Sequence, residues 1–218
     1  SVMLRKALGV VVLVSLVVLF FPRPAGAQAT FDFGLRGGVS MAKITWADEE
    51  ESDPSGNLLQ PMFGIFLAVN FNKFFTFQPE IYYLTNGGKW EETFEGYDYE
   101  WIDKLPSIHI PLLAKFHLMP DNSLKPILFA GPALDFILSA KEWFYEDGTL
   151  IYEDEFTDYI KKTNFSLVFG GGIEAALDKI TLILDVRYVI GLTNLIKVPD
   201  PGESVKTKAL MIVGGIGF

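Results

Sequence analysis

The chain has 218 residues, no cysteine, a formal net charge of −9, and an apolar half that includes 19 Phe, 8 Tyr and 4 Trp. The lack of cysteine excludes disulfides, thiol catalysis and thiolate metal sites, so packing and backbone pairing must hold the fold. The acidic balance excludes nucleic acid as a partner, because it repels phosphate.

Residues 1–27 read as a cleaved signal peptide. Arg5 and Lys6 form a basic segment, Ala7 to Phe21 are apolar, and Pro22-Arg23-Pro24 breaks any helix. Ala25-Gly26-Ala27 then supplies the small-x-small pattern of a cleavage site, with a cut after Ala27 expected and Ala29 as second choice. The competing reading is a retained membrane anchor, but 15 apolar residues fall short of the roughly 20 a spanning helix needs. Residues 28–218 then form one domain. Loss of Arg5, Lys6 and Arg23 takes the net charge to −12.

Along this domain, apolar and polar or small residues alternate strictly in eight segments, which argues strands. Phe31, Phe33, Leu35, Val39 and Met41 oppose Asp32, Gly34, Arg36, Gly38 and Ser40. Phe63, Ile65, Leu67, Val69 and Phe71 oppose Met62, Gly64, Phe66, Ala68 and Asn70. Phe75, Phe77, Ile81 and Tyr83 oppose Thr76, Gln78, Glu80 and Tyr82; Ile108 to Phe116 oppose His109 to His117. The fifth segment sets Leu128, Ala130, Leu134, Phe136 and Leu138 against Phe129, Gly131, Asp135 and Ser139. The sixth sets Phe165, Leu167, Phe169 and Ile173 against Asn164, Ser166, Gly170, Gly172 and Glu174. Leu182 to Ile190 oppose Thr181, Asp185, Arg187 and Gly191, and Leu210, Ile212, Ile216 and Phe218 oppose Met211, Val213, Gly215 and Gly217. Each segment runs about 10 residues, enough for a tilted strand to cross a bilayer.

The connections alternate long and short. Asn72-Lys73, residues 119–124 and Leu177-Asp178-Lys179 are short, whereas the other four run from about a dozen to 24 residues. The long connections hold 20 acids and 8 bases, leaving 7 acids and 7 bases elsewhere. Short periplasmic turns and long extracellular loops are the habit of outer-membrane barrels. The expected fold is therefore all-β: an eight-stranded antiparallel up-and-down transmembrane β-barrel in the outer membrane of a Gram-negative bacterium.

A soluble calyx would alternate too, with its polar face in water. Here the polar parity carries Gly34, Gly38, Gly64, Gly131, Gly170, Gly172, Gly191, Gly215 and Gly217. Glycine weakens a solvated strand face but suits the crowded interior of a narrow barrel, so the polar face is expected to point inward. Asp32, Arg36, Glu80, Lys115, Asp135, Glu174, Asp185 and Arg187 share that parity and are expected to neutralise one another there. Phe31, Phe71, Phe74, Tyr83, Phe116, Tyr188 and Phe218 are expected to form interfacial girdles. Phe218, closing an alternating strand, is the kind of terminal aromatic that the outer-membrane assembly machinery reads.

Phe77-Gln78-Pro79-Glu80-Ile81-Tyr82-Tyr83 with Gly87-Gly88, Ile110-Pro111-Leu112-Leu113-Ala114-Lys115, Lys125-Pro126 through Gly131-Pro132, and Arg187-Tyr188 through Gly191-Leu192-Thr193-Asn194 together resemble the PorT-like outer-membrane β-barrel family, common in the Bacteroidetes. His109 stands where that resemblance leads one to expect an acid. The resemblance implies the same fold and, for some members, a role in protein secretion or gliding machinery.

Chemistry is sparse. His109 and His117 are the two histidines, and eight residues separate them by about 26 Å along a strand, so they cannot act together and read as polar fillers. No Gly-x-Ser-x-Gly elbow occurs, and Gly170-Gly171-Gly172 lacks the Lys-Ser/Thr of a phosphate loop. Neither a cofactor nor a dedicated metal site is expected. Asp48, Glu49, Glu50 and Asp53, with Glu153, Asp154 and Glu155, are weak candidates to hold divalent ions that bridge to lipopolysaccharide. Trp90, Trp101, Trp143, Phe144 and Tyr152 make the long loops aromatic, which suggests strand extension beyond the membrane or a platform for a protein or glycan partner. The reading is a monomeric barrel with a structural or partner-binding role at the cell surface; the alternatives are a secretion or transport accessory and, last, a barrel enzyme.

Overall fold

The structure, a computed structural model, describes residues 29–47, 52–54, 56–198 and 203–218. The export segment and Asp48, Glu49 and Glu50 lie outside these residues, as does the side chain of Asp53. The described residues form β1 (Thr30–Ala47), β2 (Ser52–Pro54), β3 (Leu58–Asn70), β4 (Phe75–Phe94), β5 (Tyr97–His117) and β6 (Leu124–Ile137). They continue as β7 (Lys141–Glu146), β8 (Thr149–Glu155), β9 (Thr163–Leu177), β10 (Ile180–Gly191) and β11 (Ser204–Gly217).

Eight of these strands close a ring in chain order, β1-β3-β4-β5-β6-β9-β10-β11, with every neighbouring pair antiparallel. β1 and β11 seal it in register from Gly34↔Gly217 to Ala47↔Ser204. Closure leaves no unpaired edge in the wall, the condition a sheet must meet in hydrocarbon.

The alternation decides which side chains line each surface. Phe33, Leu35, Phe63, Ile65, Phe165 and Leu184 are exposed on the outside, whereas Met62, Phe66, Tyr82, Phe129, Met211 and Val213 are buried within. Val69 departs from the pattern: it lies on the outward parity but is buried, because its register partners on the two flanking strands are Phe31 and Phe77. Aromatic pairs ring both ends of the outer surface. Phe33–Phe218, Phe71–Phe75 and Phe75–Phe116 lie at the short-turn end, with Phe63–Tyr83 and Phe169–Tyr188 toward the other. Phe218 also exchanges backbone hydrogen bonds with Phe33, at 2.8 and 3.3 Å.

Local chemistry sets the turns. Asn72 Oδ1 accepts from the Phe74 and Phe75 amides at 2.8 and 2.9 Å, an Asx turn that joins β3 to β4 tightly. At the opposite end, β4 and β5 run for 20 and 21 residues, well past the wall. The connection between the third and fourth segments is therefore strand, not loop: pairing continues to Phe94↔Tyr97. Glu95-Gly96 closes it with positive φ at both positions, the geometry of a type I′ hairpin turn. β7 and β8, joined by Asp147-Gly148 in the same conformation, add to this extension through β5–β7 pairing from Lys104↔Lys141 to Tyr99↔Glu146. A four-stranded sheet in the order β4-β5-β7-β8 thus rises from one side of the long-loop end.

A second apolar cluster fills the long-loop mouth. Ile44, Leu105, Ile137 and Val205 from the wall meet Ile160 and Leu195 from the connections, with Trp90 and Phe156 packed against them.

Candidate functional site

At the centre of the lumen, Arg187 of β10 donates from Nε to Asp185 Oδ1 at 2.8 Å and from Nη2 to Asp185 Oδ2 at 3.0 Å. Its Nη1 reaches Glu80 Oε2 of β4 at 2.6 Å. Arg36 of β1 donates from Nη1 to Asp185 Oδ2 at 2.6 Å, and its Nη2 lies 3.4 Å from Glu80 Oε1. Two cations and two anions, all fully buried, neutralise one another across three strands. The guanidinium groups also stack, Arg36 over Phe66 at 5.0 Å and Arg187 over Tyr82 and Phe129 at 5.6 and 5.1 Å, which adds cation–π attraction. Glycine makes that stacking possible: a Cβ at Gly64 would come within 2.5 Å of the Tyr82 ring, and one at Gly170 within 2.7 Å of Phe129.

Two smaller clusters flank the centre. Lys115 donates to Glu174 Oε1 at 2.6 Å, and His117 Nε2 lies 2.8 Å from Glu174 Oε2. These groups, with Thr76 and Gln78, border a cavity of about 200 Å³ at the short-turn end, room for several waters at ~30 Å³ each. Elsewhere, His109 Nδ1 and Asp135 Oδ1 are 2.5 Å apart, while Asn164 Nδ2 and Ser166 Oγ donate to Asp135 Oδ2 at 3.0 and 3.2 Å. The histidines therefore sit in separate clusters, each against a carboxylate. Toward the long-loop end of β5, the next side chains on the His109 face are buried Ser107 and Leu105, and Leu105 belongs to the mouth cluster.

Asp32 requires a correction. It does not join the interior network; it is exposed where the lumen opens to water, accepts from Asn70 Nδ2 at 2.6 Å, and has no base within 4 Å among the described residues. The acidic run on β8 also behaves differently from a ligand set. Strand alternation sends Asp154 to one side and Glu153 and Glu155 to the other. Glu153 pairs with Lys141 at 2.6 Å, and Glu155 accepts from Thr157 at 2.8 Å. Among the described residues no three His, Asp or Glu side chains are grouped to hold a metal ion.

The protruding sheet has two unlike faces, assigned by register. The face continuous with the lumen carries Trp90, Tyr99, Trp101, Phe144 and Tyr152. Ring centroids run 6.2 Å from Tyr99 to Trp101, 5.0 Å from Trp101 to Phe144 and 5.2 Å from Phe144 to Tyr152. Between the rings stand Glu92, Asp103, Glu142, Glu146 and Asp154. The opposite face holds the lysines: Lys89 pairs with Glu91 and Glu100, Lys141 with Glu153, and Lys104 lies 4.8 Å over Trp143. The sequence exposed the aromatic density of this region but not its sidedness. The overlooked signal was Asp147-Gly148 between two apolar runs, which specifies the β7–β8 hairpin.

A closed antiparallel wall that is apolar outside, charged within and edgeless defines an outer-membrane β-barrel protein. The chain belongs to the outer membrane protein beta-barrel domain family, which it matches over residues 26–197. Among solved structures it is similar to Neisserial surface protein A, with 14% identity, 87% of this chain and 97% of that one covered, and a TM-score of 0.48. It is similar also to the N-terminal β-barrel domain of OprF from Pseudomonas aeruginosa, at 12% identity, 88% and 98% coverage and a TM-score of 0.45. The outer membrane protease OmpT from Escherichia coli aligns at 7% identity, 89% and 99% coverage and a TM-score of 0.46. No curated protein matches the chain in sequence.

Proposed function

We propose that the protein, exported by a cleaved signal peptide, is a membrane-anchored binding surface: the barrel fixes it among lipid and lipopolysaccharide, and the protruding sheet meets a partner outside the cell. The observation that carries this reading is the stacked row Tyr99, Trp101, Phe144 and Tyr152, drawn from three strands and raised beyond the barrel wall. Rigid aromatics on a sheet anchor interfaces at low entropic cost. The reading assigns the protein no reaction and treats the lumen clusters as support for the wall.

Photo-crosslinkers placed at Tyr152 and Tyr97 in intact cells test it. Adducts with a defined neighbour are expected at these positions and not at Asn164 in the lumen; no adduct at either sheet position overturns the reading. The PorT-like resemblance, carried by Phe77 to Tyr83 and by Ile110 to Lys115, favours a second reading, an accessory of a protein secretion machine. Retention of secreted proteins in a deletion strain would select it over the first.

A further inference from the structure

The charge on the lumen-side face of the sheet is uncompensated. Glu92, Asp103, Glu142, Glu146 and Asp154 share it, and no Lys or Arg nitrogen lies within 4 Å of any of the five among the described residues. The lysines of the same sheet all lie on the other side, where Lys89 and Lys141 are held by carboxylates. At the base of the acidic face, Asp103 is only 5% exposed, yet its Oδ1 has no hydrogen-bond partner. A buried acceptor left unfilled is costly. Glu142 accepts from the Tyr152 hydroxyl at 2.9 Å, but no cationic donor stands on this face among the described residues.

Aromatic rows beside carboxylates suit one chemistry well. A guanidinium or ammonium stacks on ring faces spaced as these are, and a guanidinium also forks onto a carboxylate. β8 is the last strand of the sheet, so its free edge offers backbone donors and acceptors to an extended chain. We propose that this face receives a basic polypeptide segment, its Lys or Arg side chains laid across Trp101, Phe144 and Tyr152 and one of them reaching Asp103. The inference rests on the partner-binding reading and gives that partner its chemistry. A neutral glycan, which could stack on the same rings, would leave the acidic groups between them without use.

The test uses the full chain in detergent micelles and a fluorescein-labelled nona-arginine peptide, with binding read by anisotropy. Two variants, compared at about pH 8.5 so that Asp103 is ionised, remove equal charge. One combines Glu92→Gln, Asp103→Asn and Glu142→Gln on the lumen-side face; the other combines Glu91→Gln, Glu100→Gln and Glu153→Gln on the opposite face. A third, Glu146→Gln with Asp154→Asn, changes only partly or fully exposed positions and guards against misfolding of the first. The lumen-side sets are expected to weaken binding about tenfold, a loss of ~1.4 kcal/mol, and the opposite set less than twofold. Equal weakening by both faces, which net charge alone would produce, overturns the proposal, as does absence of peptide binding. Saturable quenching of tryptophan fluorescence by maltoheptaose, with no response to the peptide, reassigns the face to a glycan and likewise overturns it. Cell-surface crosslinks at Tyr152 that persist while the peptide fails would remove the basic chemistry and leave the partner-binding reading standing.

Discussion

Arg187 is the side chain whose loss should cost the barrel most. It makes three hydrogen bonds to two buried carboxylates, at 2.6, 2.8 and 3.0 Å, and stacks on two rings. In Arg187→Leu, Asp185 and Glu80 would share the single guanidinium of Arg36, which already touches both. One negative charge is then left without a partner in a sealed interior, and breaking a buried pair in this way costs ~3–5 kcal/mol. A loss of ~4 kcal/mol lowers the folding constant about a thousandfold. Removing the orphaned charge as well, in Arg187→Leu with Asp185→Leu, leaves the neutral Arg36–Glu80 pair and should return all but ~1–2 kcal/mol of the loss. The assay is urea-induced unfolding in phospholipid vesicles, followed by tryptophan fluorescence, with heat-modifiable gel migration as a check on folding. A single-variant loss below ~1 kcal/mol, smaller than that of an ordinary lost hydrogen bond, would refute the reasoning. So would a double variant whose loss is the sum of the two singles.

Other outcomes follow from the same geometry. Gly64→Val should fail to yield the heat-modifiable folded form, because a Cβ there meets the Ile81 carbonyl oxygen at 2.3 Å and the Tyr82 ring at 2.5 Å, whereas Gly37→Ala, whose Cβ nears only the Met62 carbonyl at 3.8 Å, should fold normally on the same gel. Asp103 should titrate near neutrality, since burial and then the charge of Glu142 on β7 push its carboxyl up to about 7, while β4 brings only Gly88 against it. The folded protein then holds a proton that the unfolded chain releases near 3.8, so its stability falls as pH rises from about 4 to 7 and is level above that. Asp103→Asn should flatten that slope in unfolding midpoints, and a carboxyl ¹³C titration of the parent with a midpoint near 4 would contradict the assignment. Because the lumen is filled by buried side chains, vesicles carrying the protein should swell in glucose no faster than bare lipid.

The wall was legible because one variable, parity, decides it. Phe165, Leu167 and Phe169 alternate with Ser166, Val168 and Gly170, and the strand could face no other way without putting three large apolar groups inside. The interior charges were legible as a set but not as partners. Register says that β10 lies beside β9 and β11, yet Arg187 reaches across the lumen to Glu80 on β4, a distance that no local pattern encodes. Asp32 misled for a related reason: parity fixes the side of the wall, not the depth, and at the third residue of β1 the lumen is already open to water. The mouth cluster was hidden as well. Ile160 and Leu195 come from connections without periodicity and are folded inward by long-range packing.

The central claim is the sidedness of the wall. With no native cysteine in the chain, single cysteines at Leu35, Ile65, Leu128 and Leu184, and at Ser40, Ala68 and Val213, can be spin-labelled one at a time in lipid vesicles. Collision with oxygen, which concentrates in hydrocarbon, should be high at the first four and low at the last three. High oxygen access at Ser40, Ala68 and Val213 with low access at Leu35 and Ile65 would mean that the wall is inside out, and the account would fall with it.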